Sequence, residues 1–99
     1  MTLPSTALQL RSLITADGQL ELSLHDAPVA PPGADEVLIR VEASPINPSD
    51  IGLLFGAADM VQARVEGDAA RPVLRAPVPP AAMKAMAGRV GQSLPCGNE

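Results

Sequence analysis

The sequence predicts a mainly β fold with short helices, on three observations. Leu20, Leu22 and Leu24 alternate with Glu21 and Ser23 behind an Asp17-Gly18 pair. Val37, Ile39 and Val41 alternate with Arg40 and Glu42. A spacing of two puts the apolar set of each run on one face of a strand. Prolines and glycines, 11 and 8 in number, divide the remainder into runs that suit only short helices.

Ninety-nine residues make one small domain at most. With 46% apolar and 18% charged residues the chain is too hydrophobic to stay disordered by self-repulsion. Phe55 is its one aromatic, so the core has to be built from Leu, Val, Ile, Ala and Met, which is thin for a free-standing unit. A net charge of −4 with scattered basic residues argues against a phosphate-neutralising nucleic-acid surface. One cysteine and one histidine exclude an internal disulfide and a structural zinc knot. Without a signal-peptide pattern or an apolar run of about 18 residues, the expected setting is the reducing cytoplasm, with no membrane partner.

Residues 8–24 form a hairpin, with Leu8, Leu10 and Ile14 on its first arm. Asp17-Gly18 is expected to be a tight turn with two positive φ angles. His25 opens a connection over residues 25–35, where Pro28, Pro31, Pro32 and Gly33 break the backbone. A strand is expected over residues 36–43, with Leu38 covering part of its second face.

A helix start follows. Asn47 is placed to cap, Pro48 has the φ favoured at the first helical position, Asp50 stands third, and Gly56 suits the end. Residues 57–93 are rich in Ala and Pro and are expected to be an irregular insertion. It would hold a short helix over 59–65, a loop over 67–71 and a second helix over 80–87.

No Ser-His-Asp set, metal-ligand cluster, dinucleotide glycine motif or phosphate loop is present. His25 reads as a solvated residue rather than a general base, and Cys96, with no basic neighbour in sequence, as an inert thiol.

Glu36-Val37-Leu38-Ile39-Arg40-Val41-Glu42-Ala43, then Ile46-Asn47-Pro48-Ser49-Asp50, then Gly97-Asn98-Glu99 together resemble the N-terminal, GroES-like β-barrel domain of the medium-chain dehydrogenase/reductase superfamily. The resemblance covers residues 8–56 and 94–99. It implies that residues 1–99 are a partial GroES-like (alcohol dehydrogenase N-terminal) catalytic domain without its Rossmann cofactor domain.

In the zinc alcohol dehydrogenases of that family a Cys ligand stands at the position of Asn47 and a His ligand at that of Asn98. Both are amides here, so the resemblance implies no catalytic metal and the zinc-independent branch of quinone oxidoreductases and enoyl reductases. A zinc alcohol dehydrogenase is the poorer reading. Hydride would come from NADPH and reduce an activated alkene or quinone.

By the same analogy Asn47 faces nicotinamide or substrate and Ser49 holds a proton-relay hydroxyl, while Pro48, Asp50, Asn98 and Glu99 support the loop. Capping alone also accounts for Asn47, Pro48 and Asp50, and an exposed chain end for Asn98 and Glu99. The enoyl reductases carry a tyrosine near the position of Ala58, and this chain has none. The implied partners are a small-molecule substrate, a C-terminal Rossmann domain and a second subunit of a homodimer. The alternative is a non-catalytic β-rich interaction module or gene remnant, since this stretch alone holds no dinucleotide site.

Overall fold

The computed structural model describes residues 3–96. Strands β1 (Thr6–Ile14) and β2 (Gln19–Pro28) form the expected hairpin, with Ile14 opposite Leu20 and Thr6 opposite Pro28. Its turn differs from the expected one. Gly18 has φ +85°, but Asp17 does not, since no described residue other than glycine has a positive φ.

The Thr15 N–H donates to the Gln19 carbonyl at 2.8 Å, and the Gly18 N–H to the Thr15 carbonyl at 3.1 Å. This is a three-residue loop, a turn closed by a left-handed glycine. Thr15 favours the wider loop: its hydroxyl accepts from the Gln19 N–H at 3.0 Å and bonds the Asp17 carboxylate. A Cβ on Gly18 would meet only the Val78 carbonyl oxygen, at 3.7 Å. Gly18→Ala should therefore cost only the left-handed backbone penalty, about 1–2 kcal/mol, read as a lower urea midpoint.

Residues 57–93, expected to be irregular, contribute two strands. β3 (Arg64–Gly67) and β4 (Pro72–Pro77) form a second antiparallel hairpin; the loop expected over 67–71 is residues 68–71, since Gly67 pairs with Pro72. β4 pairs with β2, placing Ala76 opposite Leu20 and Leu74 opposite Leu22. β5 (Leu94–Pro95) pairs with β1. The result is a five-stranded antiparallel sheet in the order β3-β4-β2-β1-β5. Its two outer strands are not paired with each other among the described residues.

The helix expected over 59–65 is a single 3-10 turn, Met60–Gln62, before β3 begins. Its cap is real: the Asp59 carboxylate accepts from the Val61 N–H at 3.1 Å and from the Gln62 amide at 2.7 Å. The chain then turns extended at Ala63. The short helix expected over 80–87 is α2 (Pro80–Ala85), followed by a 3-10 turn over Ala87–Arg89.

One face of the sheet carries the core. Ile14, Leu20, Leu22, Ala76 and Val78 are buried, and Leu54, Met60, Met83, Met86 and Val90 pack against that cluster. The other face is polar. Arg75 on β4 bonds Glu21 on β2 at 2.7 Å and Glu66 on β3 at 2.5 Å. Charge lines the solvent side while the apolar alternation turns inward, as a one-sided antiparallel sheet requires. Burial falls off along the first hairpin. At the turn end Ile14 and Leu20 are fully covered, but at the far end Leu8 and Leu10 are exposed.

The strand expected over 36–43 does not form. That segment joins no ladder among the described residues, and Val37, Ile39 and Val41 are 73 to 80% exposed. Alternating side chains stabilise a strand only where a neighbour takes up its amides and covers its apolar face. No described strand does so here. With this segment unpacked, the radius of gyration is 15.7 Å, against about 13 Å for a compact chain of 100 residues.

Candidate functional site

The turn entering the helix is built as its residues dictate. Pro48–Asp50 form a 3-10 turn capped at Asn47, and α1 (Ile51–Leu54) continues it. The Asp50 carboxylate accepts from the Asn47 N–H at 2.7 Å, and the Asp50 N–H donates to the Asn47 carbonyl at 2.9 Å. The second is the 3-10 turn's own bond, and the first gives the Asn47 N–H, which lies before the helical ladder, a partner of its own. Gly56, at φ +54°, ends the helix with its N–H on the Ile51 carbonyl at 3.1 Å. A Cβ there would stand 2.6 Å from the flexible tip of Met86, which can move aside, so it is the left-handed backbone that calls for glycine.

Asp50 is 3% exposed, whereas Pro48 and Ser49 face outward and Asn47 is half-buried. Asp50 lies at the edge of a groove of about 220 Å³ lined by Leu10, Ser44, Pro45, Ile46, Leu54 and Cys96. The groove is apolar apart from Ser44, the carboxylate and the thiol. The predicted residues Asn47, Pro48, Ser49 and Asp50 therefore form one compact turn beside an apolar groove. Asn98 and Glu99 lie outside the described residues.

Two residues that the sequence reading missed fix this turn to the sheet. Ser12 is fully buried; its hydroxyl donates to the Leu53 carbonyl at 2.6 Å and accepts from the Arg89 guanidinium at 2.9 Å. The available signal was a serine at a core position of β1, between Leu10 and Ile14, where an unpaired hydroxyl is costly. Ser12→Ala should destabilise the chain by about 1–3 kcal/mol by freeing a carbonyl and a guanidinium N–H, measured as a lower urea midpoint.

The Cys96 N–H donates to the Leu10 carbonyl at 2.9 Å, which brings the thiol to the groove. Burial pushes that thiol up, against the pull of Arg89 and Arg11, and Asp50 adds to the rise. Charged neighbours unseen in sequence are thus present, but burial outweighs them, and the inert reading agrees with the direction. Cys96 should alkylate more slowly than free cysteine at pH 8, and at the free rate in denaturant. Because the folded thiol holds its proton longer, its contribution to stability is present at neutral pH and is lost as the pH climbs through the thiol range.

His25 lies in β2 rather than in a loop, but it is exposed as expected, with Nε2 at 2.8 Å from the Ser23 hydroxyl. Among the described residues no group of three His, Cys, Asp or Glu side chains is placed to hold a metal. No described helix is long and apolar enough to cross a membrane.

No protein-family model matches the sequence, and no curated protein matches it. The described residues offer no cradle for a dinucleotide pyrophosphate. Among the described residues the strand pairs of the sheet are antiparallel, the one parallel contact being an isolated Ile14–Val90 bridge, and α1 and α2 are short helices that do not open on a glycine-rich turn after a parallel strand. The pyrophosphate cradle of a nicotinamide cofactor needs such a turn.

Proposed function

We propose that the chain is the substrate-side β domain of an NADPH-dependent, zinc-independent reductase of activated alkenes or quinones, with the dinucleotide held by a separate domain. The observation that carries this reading is the Asn47–Asp50 turn beside the apolar groove of Leu10, Ile46 and Leu54. A flat conjugated substrate suits such a wall, and the turn holds polar side chains next to it. Asn47 orients the substrate carbonyl, the outward Ser49 hydroxyl passes a proton, and Asp50 holds the turn. The sequence resemblance adds the reaction class and the GroES-like barrel, which further strands would complete.

The test is NADPH oxidation by the intact gene product with a quinone and with an enoyl thioester, with and without chelator. Turnover indifferent to chelator is expected. Activity lost on chelation and restored by zinc would overturn the metal-free reading, and oxidation of NADPH with neither substrate class would overturn the reductase reading.

A non-catalytic interaction module is the second reading. The exposed apolar row Val37, Ile39 and Val41 favours it.

A further inference from the structure

We infer that residues 38–44 are a self-complementary strand that pairs antiparallel with the same segment of a second copy of this chain. Among the described residues the segment enters no ladder, and none of its backbone amides or carbonyls bonds another described backbone group. Its side chains alternate, with Ile39, Val41 and Ala43 in one set and Leu38, Arg40, Glu42 and Ser44 in the other. Such a run is a template for another strand.

The charges select the partner and the register. Two identical antiparallel strands related by a two-fold axis meet with some residue opposite its own copy, because the side-chain period is two. Centring on Arg40 sets two guanidinium groups face to face, and centring on Ile39 sets Glu36 against Glu42. Like charges directly opposite oppose pairing. Centring on Leu38 runs the ladder into the turn that the Glu36 N–H closes on the Gly33 carbonyl at 3.1 Å.

Centring on Val41 avoids all three. It sets Arg40 against Glu42 twice, Ile39 against Ala43 twice and Val41 against Val41, and it ends at Pro45, which has no amide to donate. Arg40 and Glu42 already pair within one chain, at 3.2 Å and largely exposed. In the dimer each exchanges that partner for one across the strands. The Ile39, Val41 and Ala43 rows of the two copies then join into one apolar face, and the open backbone edge is closed.

Two charge reversals test the pairing by sedimentation equilibrium of the 99-residue chain. Wild type should show twice its monomer mass of 10.2 kDa as concentration rises. Arg40→Glu alone and Glu42→Arg alone should each weaken dimerisation by about 10-fold or more, since each converts both attractive pairs into repulsive ones. Mixing the two variants should restore the dimer, because their charges complement across the ladder.

In a Cys96→Ser background, Val41→Cys should cross-link on mild oxidation, its copies being about 4.5–5.5 Å apart at Cβ, whereas Val37→Cys should not. A wild type that stays monomeric throughout would overturn the proposal. So would reversals that dimerise like wild type, a mixture no stronger than either variant, or equal cross-linking at positions 37 and 41. None of these outcomes depends on the reductase reading.

Discussion

Leu20→Ala is expected to lower the unfolding free energy by about 3 kcal/mol, within the range of roughly 2–5 kcal/mol for leucine truncation in a core. Leu20 is fully buried and sits where two ladders meet, opposite Ile14 on β1 and Ala76 on β4. Removing its isobutyl group opens a cavity between both hairpins and the methionines above them. The described core holds only five buried apolar residues, so little remains to absorb the loss. Typical domains have about 5–15 kcal/mol in total, and a chain with so small a core belongs at the lower end. Leu8→Ala is the matched control. Leu8 lies on the same face of the first hairpin but is 60% exposed at its uncovered end, and should cost within about 0.5 kcal/mol. Urea unfolding followed by far-ultraviolet circular dichroism separates the two. Equal losses at both positions would mean that the sheet is not packed from its turn end.

The same contrast explains what the sequence made legible. Asp17-Gly18 between two alternating leucine arms is local information, and it located the first hairpin correctly. The turn type was misjudged because the Thr15 hydroxyl takes the Gln19 N–H and widens the loop. Asn47, Pro48, Asp50 and Gly56 likewise marked both ends of their turn and helix, since capping is settled within a few residues. Features that depend on distant partners did not show.

Residues 36–43 have the alternation of a strand, yet alternation states a need for a neighbour without supplying one. β4 shows the opposite case. Pro72-Val73-Leu74-Arg75-Ala76-Pro77 looks like Ala/Pro-rich filler, but its prolines stand at the strand ends, where a missing amide costs least. Its Leu74 and Ala76 then turn to the core while Arg75 reaches Glu21 and Glu66. In the site, the turn was legible and its fastening was not. Ser12 and Arg89 are 77 positions apart, and only the fold brings a β1 hydroxyl between that guanidinium and the Leu53 carbonyl.

If the proposed reductase reading holds, Asn47→Ser is expected to lower kcat of the intact gene product by about 100-fold while leaving the unfolding midpoint of the chain unchanged. Serine caps a helix about as well as asparagine, so the Pro48–Asp50 turn keeps its start and Asp50 keeps the backbone N–H it accepts from position 47. Serine does not reproduce the reach or the two N–H donors of the amide. If Asn47 steadies the oxygen on which charge develops, loss of that donor falls on the transition state and appears in kcat, in the range of about 100- to 1,000-fold seen for a single such group. Asn47→Ala separates the roles further, because it removes cap and donor together and should cost about 1 kcal/mol of stability besides the same fall in kcat. A serine variant with undiminished kcat would assign Asn47 to capping alone and remove the residue on which the substrate side of the proposal rests. Unchanged kcat with a raised KM would instead place its amide against the bound substrate in the ground state, equally present in the transition state.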